Sequence, residues 1–280
     1  MVSHAIPKTY AEALEILKDG THRVVAGGTD MMVRNRAWAG LPPAFDKPLL
    51  FAFNLPELKY VRVDEKAIYI GSMTDLETLL HHEDTPSLLR EVIGEMASPA
   101  IRYVSTLAGN IVNASPAADS LLALYALDAQ IVLESVEGKR VLPIEKMILG
   151  PGKTVLDHDE IIAEIRMPKS SFTHTAFRKV GGRRADAITK VGFIGCAVVD
   201  DGIIRDLRLI FNAVAPTLVR VKSVEALHIG HAIEDVLDDI ETITHHYAEH
   251  INPIDDQRSN RAYRKETALE LARHFIKTLQ

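Results

Sequence analysis

Apolar positions recur at helical spacing in some stretches of the chain and in short continuous or alternating runs in others, with turn residues between them. Thr9-Tyr-Ala-Glu12 has capping-box spacing, Ala13, Leu14 and Leu17 continue a helical stripe, and Gly20 supplies a stop. Arg23 to Ala26 predicts a short strand that runs into Gly27-Gly28-Thr29-Asp30, followed by a second helix through about Trp38. Residues 40–48 carry prolines and predict a loop. Strands are expected near Tyr60–Val63 and Ala67–Ile70. Thr74-x-x-Glu77 repeats the capping-box spacing and predicts a short helix. Further helices are expected over Ser87–Met96 and Ala117–Leu127, and strands over Gln130–Glu134 and Ile161–Met167, the last stopped by Pro168. The texture then changes. His174–Val180 and Gly192–Val199 predict strands, Asp201-Gly202 a hairpin turn into Ile203–Val214, and the chain from Lys222 onward a polar-patterned helical region. Met-Pro-Lys-Ser-Ser at 167–171 marks a domain boundary.

A length of 280 residues suits one large domain or two to three small ones. With 47% apolar and 25% charged residues the composition is that of a globular protein, which excludes disordered and collagen-like classes. The run Leu121–Leu127 is far short of the roughly 20 residues that cross a bilayer, so no membrane association is expected. A formal charge of −6 argues against nucleic acid as a partner. Met1 to Tyr10 lacks the apolar core of a signal peptide, so a cytoplasmic protein is expected. One cysteine, Cys196, forms no internal disulfide and supplies no iron–sulfur cluster; its apolar strand makes it a small buried hydrophobe.

Several chemical signals fail on spacing. Gly150-Pro-Gly-Lys-Thr154 imitates a P-loop, but Met147 stands where the first glycine belongs. His246 and His250 lie four apart without the glutamate of a metalloprotease helix, and no metal site is expected. His81-His82 reads as a solvated polar face. GxSxG and GxGxxG are both absent. Two glycine-containing turns remain. Val24-Val-Ala-Gly27-Gly28-Thr-Asp30 is the first. The second is Ser105-Thr-Leu-Ala-Gly109-Asn110, continued to Asp119. Turns without large side chains let backbone N–H groups approach a phosphate, and two of them can clamp a pyrophosphate without lysine.

Ala26-Gly-Gly-Thr-Asp30, Thr106-Leu-Ala-Gly-Asn110-Ile and Ala114-Ser-Pro-Ala-Ala-Asp119, in that order, resemble the FAD-binding (medium) subunit of the molybdenum hydroxylases. Gly150-Pro-Gly-Lys153, Phe177-Arg-Lys179, Ile194-Gly-Cys-Ala197 and Ala213-Val-Ala-Pro-Thr217 extend the resemblance over nearly the whole chain and look most like bacterial xanthine dehydrogenase flavin subunits. The resemblance implies an α+β protein. A vanillyl-alcohol-oxidase (PCMH-type) FAD-binding domain would span residues 1–169, with subdomains at about 1–56 and 57–169. A smaller α+β domain would span 170–280. It also implies that Val25, Ala26, Gly27, Gly28, Thr29, Asp30, Met31 and Met32 line one side of FAD. Thr106, Gly109, Asn110, Ser115 and Asp119 would line the other, with Ile162 and Lys179 near the flavin. No protein side chain is implied to be catalytic, since flavin N5 carries the chemistry. Molybdopterin and [2Fe-2S] clusters are expected on large and small partner subunits, and NAD+ or another acceptor receives the electrons. A self-contained flavoprotein oxidase or reductase and a flavin-free scaffold are the alternatives. Ala108 stands where the family usually has glycine, and it fits only if its φ is negative.

Overall fold

The computed structural model describes residues 3–38, 40–183 and 186–280. Its contacts divide the chain into two units: residues up to Ala114 with Asp128–Lys169, and Ser115–Leu127 with Ser170–Gln280.

In the first unit, Thr9 caps the helix Tyr10–Leu17 by accepting from the Glu12 N–H at 3.2 Å. Glu12 reaches back to the Lys8 N–H at 2.7 Å, one residue earlier than a standard box. The helix buries Ala13 and Leu17 against Leu50, Ala52, Leu55 and Leu58. Beneath lies a parallel sheet in the order His4–Ala5, Leu49–Phe51, Arg23–Val25. The helix after the first glycine pair is a single turn, Met31–Arg34, and does not reach Trp38. None of its residues is buried, so no packing extends it. The expected Thr74 cap is also corrected. Asp75 accepts from the Thr78 N–H at 2.8 Å and caps Leu76–His81, while the Thr74 hydroxyl bonds the Tyr60 backbone.

An antiparallel sheet follows in the order Val61–Val63, Ala67–Gly71, Ile161–Pro168, Gln130–Ser135, Gly138–Pro143. The strand Ile161–Pro168 carries a bulge between Ile162 and Glu164. Gly150-Pro-Gly-Lys153 is the turn of a small hairpin, Ile148–Gly150 with Lys153–Thr154, and no helix follows it.

The second unit holds an antiparallel sheet in the order His174–Val180, Val191–Asp200, Ile203–Asn212, Val219–Arg220. Asp201 and Gly202, at φ +49° and +73°, make the turn between its two long strands. Helix Asp119–Ala126 is buried along its whole length and packs on those two strands. Its residues therefore join the second unit, although they precede 169 in sequence. Arg208 and Arg220 fix its end by donating to the carbonyls of Ala126 and Tyr125. The polar-patterned C-terminal stretch is broken into Lys222–Ala226, Ile233–Asp238, Ile240–His250 and Arg261–Lys277. Gly230, at φ +89°, permits the first break. Phe193, Phe211, Tyr247 and Phe275 stack in tilted and edge contacts at the centre of this unit's core.

Candidate functional site

Strand Arg23–Val25 delivers Gly27 and Gly28 to the surface of the first unit. A Cβ on Gly27 would lie 1.6 Å from the Val104 carbonyl oxygen, so only glycine lets this loop rest on the segment before the second motif. Gly28 has φ +71°, and its carbonyl accepts from the Met32 N–H at 2.9 Å. The backbone N–H groups of Gly27, Gly28, Thr29 and Asp30 have no acceptor among the described residues. Four successive donors around a left-handed glycine form a concave anion-binding arrangement.

The second motif is a capped helix, Leu107–Asn113, rather than the tight turn expected. Thr106 is buried and its hydroxyl accepts from the Gly109 N–H at 2.9 Å, which commits it to the cap. Ala108 lies inside the helix with helical backbone and packs in the core, so the missing second glycine causes no clash. Gly109 is exposed; a Cβ there would sit 3.9 Å from the Ala26 Cβ, so the two motifs meet. Asn110, half-buried, follows it. The Ser105 hydroxyl between them is buried without a partner. Val25 is in the core, Met31 and Met32 are half-buried, and Ile162 is 2% exposed in the strand at the bulge.

Asn113 and Arg34, which sequence reading did not single out as site residues, join the motifs. Asn113 Nδ2 donates to Asp30 Oδ2 at 3.0 Å, and Arg34 donates to Asn113 Oδ1 at 2.6 Å. Arg34 and Asn113 are 79 positions apart, and no local pattern announces them.

In the second unit, the Ser115 hydroxyl accepts from the Ala117 N–H at 3.3 Å. Asp119 opens the buried helix. Its Oδ1 accepts from the Thr189 hydroxyl at 2.6 Å and from Asn212 Nδ2 at 3.2 Å, and its Oδ2 pairs with Lys179 Nζ at 2.9 Å. Both side chains of that pair are 7% exposed. Strand alternation turns Lys179 inward and leaves Arg178 exposed. Thr189 and Asn212 also escaped the sequence reading, since they meet Asp119 only through tertiary folding.

Cys196 is fully buried, and burial pushes its thiol up to about 12, which keeps it protonated and unreactive. Among the described residues no group of three or more His, Cys, Asp or Glu can hold a metal ion.

The donor set of the first unit fits the pyrophosphate of a dinucleotide: backbone N–H groups without acceptors, glycines that keep side chains away, and a buried hydroxyl lacking a partner. Comparison with known proteins points the same way. Residues 1–170 match the model of the FAD binding domain in molybdopterin dehydrogenase, and residues 176–279 that of the CO dehydrogenase flavoprotein C-terminal domain. The nicotinate dehydrogenase FAD-subunit of Eubacterium barkeri is 33% identical over 208 residues, covering 70% of this chain and 68% of that one. The xanthine dehydrogenase FAD-binding subunit of Escherichia coli O157:H7 is 29% identical over 91% of this chain and 88% of its own. A solved carbon monoxide dehydrogenase from Hydrogenophaga pseudoflava superposes with a TM-score of 0.88 at 24% identity, over 99% of this chain and 96% of that one, and shares the fold.

Proposed function

This chain belongs to the FAD-binding family of molybdopterin dehydrogenases, and we propose from that premise that it relays electrons between an iron–sulfur subunit and a final acceptor such as NAD+. The observation that carries the proposal is the row of unpaired N–H groups at Gly27–Asp30, seated on the segment that leads into the Thr106–Asn110 motif.

Bound FAD would supply the redox chemistry, as flavins do in proteins that position and tune them. The chain's own residues do the rest. The N–H groups of Gly27, Gly28, Thr29 and Asp30 donate to phosphate oxygens, and Gly109 keeps the facing surface free of side chains. Thr106 holds the helix that presents Gly109 and Asn110. Ile162, Ser115, Asp119 and Lys179 belong to the proposed cofactor-binding set, each in the setting described above.

One cysteine cannot ligate a cluster, so any iron–sulfur cluster that delivers electrons to this chain is carried by another polypeptide. The proposal therefore includes a small iron–sulfur subunit and a large molybdopterin subunit as partners, and a cytoplasmic location. No helix of the described residues is long and apolar enough to cross a membrane. The test is reconstitution. The chain loaded with FAD is mixed with its iron–sulfur and molybdopterin subunits, and NADH formation is followed at 340 nm. Turnover that needs all three subunits and FAD is expected. Turnover by this chain alone, or by the partners without it, overturns the assignment.

A further inference from the structure

Asp30 poses an electrostatic problem, because its carboxylate stands at the end of the row of donors proposed to bind a phosphate. A carboxylate beside a pyrophosphate repels it. The structure answers through Asn113, in the continuation of the second motif, and Arg34, which lies outside both motifs. Asn113 donates its amide to Asp30 Oδ2 at 3.0 Å, and Arg34 donates to the same amide's oxygen at 2.6 Å and to the Asn113 carbonyl at 3.4 Å. The amide orientation is set by its neighbours: Nδ2 must face the carboxylate and Oδ1 the guanidinium. Asp30 caps nothing in its own helix, so its carboxylate is turned to Asn113 instead.

Both ends of this relay are anchored. Arg34 ends the single turn that follows the first motif, and Asn113 ends the helix that carries the second. Ala114, in a left-handed conformation at φ +46°, turns the chain there, and its carbonyl accepts from the Gly152 N–H at 3.0 Å. Gly152 belongs to the hairpin that imitates a P-loop. A Cβ on it would lie 3.2 Å from Arg34 Nη2, so the hairpin backs the guanidinium.

We infer that Asp30–Asn113–Arg34 is a latch. It holds the two FAD-binding motifs at their working separation before the cofactor arrives, and it turns the Asp30 charge away from the pyrophosphate. Arg34 and Asn113 are thus positioning residues for dinucleotide binding. The inference rests on the FAD reading above. The Gly27 end of the loop rests on the Val104 carbonyl, but the helix Met31–Arg34 buries none of its residues, so at the Asp30 end the latch adds a restraint that packing does not supply. Without the latch the loop must be ordered at the moment of binding, and that cost appears in the affinity.

The test uses the full chain with Arg34→Met, Asn113→Ala, the double variant and Arg34→Lys. FAD affinity is measured by flavin fluorescence. Hydrogen exchange of residues 26–35 and 105–115 is measured without nucleotide. Each single variant is expected to bind FAD roughly tenfold more weakly and to exchange faster at residues 26–35, with the melting temperature unchanged. The double variant is expected to be no worse than either single one, because both act through one bond pair. Arg34→Lys, which keeps a cationic donor to Asn113 Oδ1, is expected to recover most of the affinity. Unchanged affinity and exchange in the variants, beside a wild type that binds FAD, overturn the latch alone. Additive losses that track a falling melting temperature, without rescue by lysine, overturn it in favour of mere structural support. A wild type that does not bind FAD overturns the positioning role together with the reading beneath it.

Discussion

The Gly27–Asp30 loop of the first unit and the Asp119 cluster of the second treat their polar groups in opposite ways. In the loop, four backbone N–H groups have no acceptor among the described residues, and the residues around them are exposed or half-buried. In the cluster, one carboxylate receives Thr189, Asn212 and Lys179 in a nearly dry setting. Unpaired donors at a surface are available to a ligand. The buried Asp119 carboxylate, with its three donors in place, keeps a fixed geometry, while Asn212 Oδ1 beside it is buried without a partner. The first arrangement leaves donors open to a ligand, and the second keeps its ion pair in one geometry.

The sharpest way to break this contrast is Gly27→Ala. The added carbon meets the Val104 carbonyl, and the backbone has nowhere to move cheaply. A loss of about 4 kcal/mol in stability, with loss of FAD retention, is expected from urea unfolding and gel filtration. A near-native variant would show that the loop does not rest on that segment.

Lys179→Met comes next. It leaves the Asp119 carboxylate buried without its cation, at a cost of about 3 kcal/mol. Lys179→Met with Asp119→Leu is expected to recover part of that loss, because no unpaired charge then remains. If the single change is silent in chemical denaturation, the pair contributes nothing to this unit.

Gly28→Ala isolates the binding loop from steric trouble, since the nearest atom to its added carbon is a flexible Met32 side chain at 3.3 Å. The left-handed φ alone should cost about 1 kcal/mol. FAD affinity should fall more than stability, because the strained loop re-aims its donors.

The smallest effect is a pH dependence in the second unit. Burial holds the His228 imidazole below its ordinary value, against the pull of Asp239, with His231 and His246 adding to the depression. The unfolded chain then binds the proton more readily than the folded one. The contribution of His228 is complete above its unfolded value and is lost as pH falls through that value toward the folded one. His228→Gln should flatten the stability profile on the acid side of neutrality, read from denaturation midpoints at a series of pH values.

Local signals in the sequence carried much of this picture. Thr9 caps where its spacing says, and Asp201-Gly202 turns where glycine permits. The first glycine turn was legible because it depends on a short run of chain, whereas the second, expected as a turn, is a capped helix. The misreadings arose where tertiary contacts decided. Thr74 and Asp75 are adjacent and both can cap, and the Tyr60 backbone took Thr74. The second helix stopped at Arg34 because no apolar face covers it. Asp119–Ala126 packs with strands some 70 residues further on, and it is buried on every side, with Asp119 and Ser120 among its buried residues. Thr189, Asn212, Asn113 and Arg34 find their partners 70 to 93 positions away, which no periodicity encodes.

Binding of a flavin dinucleotide by the backbone donors at Gly27–Asp30 is what every other proposed role depends on. Its most direct test is the visible absorption spectrum of the purified chain, after incubation with FAD and desalting. An oxidised-flavin spectrum at about one FAD per chain is expected, abolished in Gly27→Ala and retained at lower occupancy in Lys179→Met with Asp119→Leu. A colourless wild-type chain would contradict it.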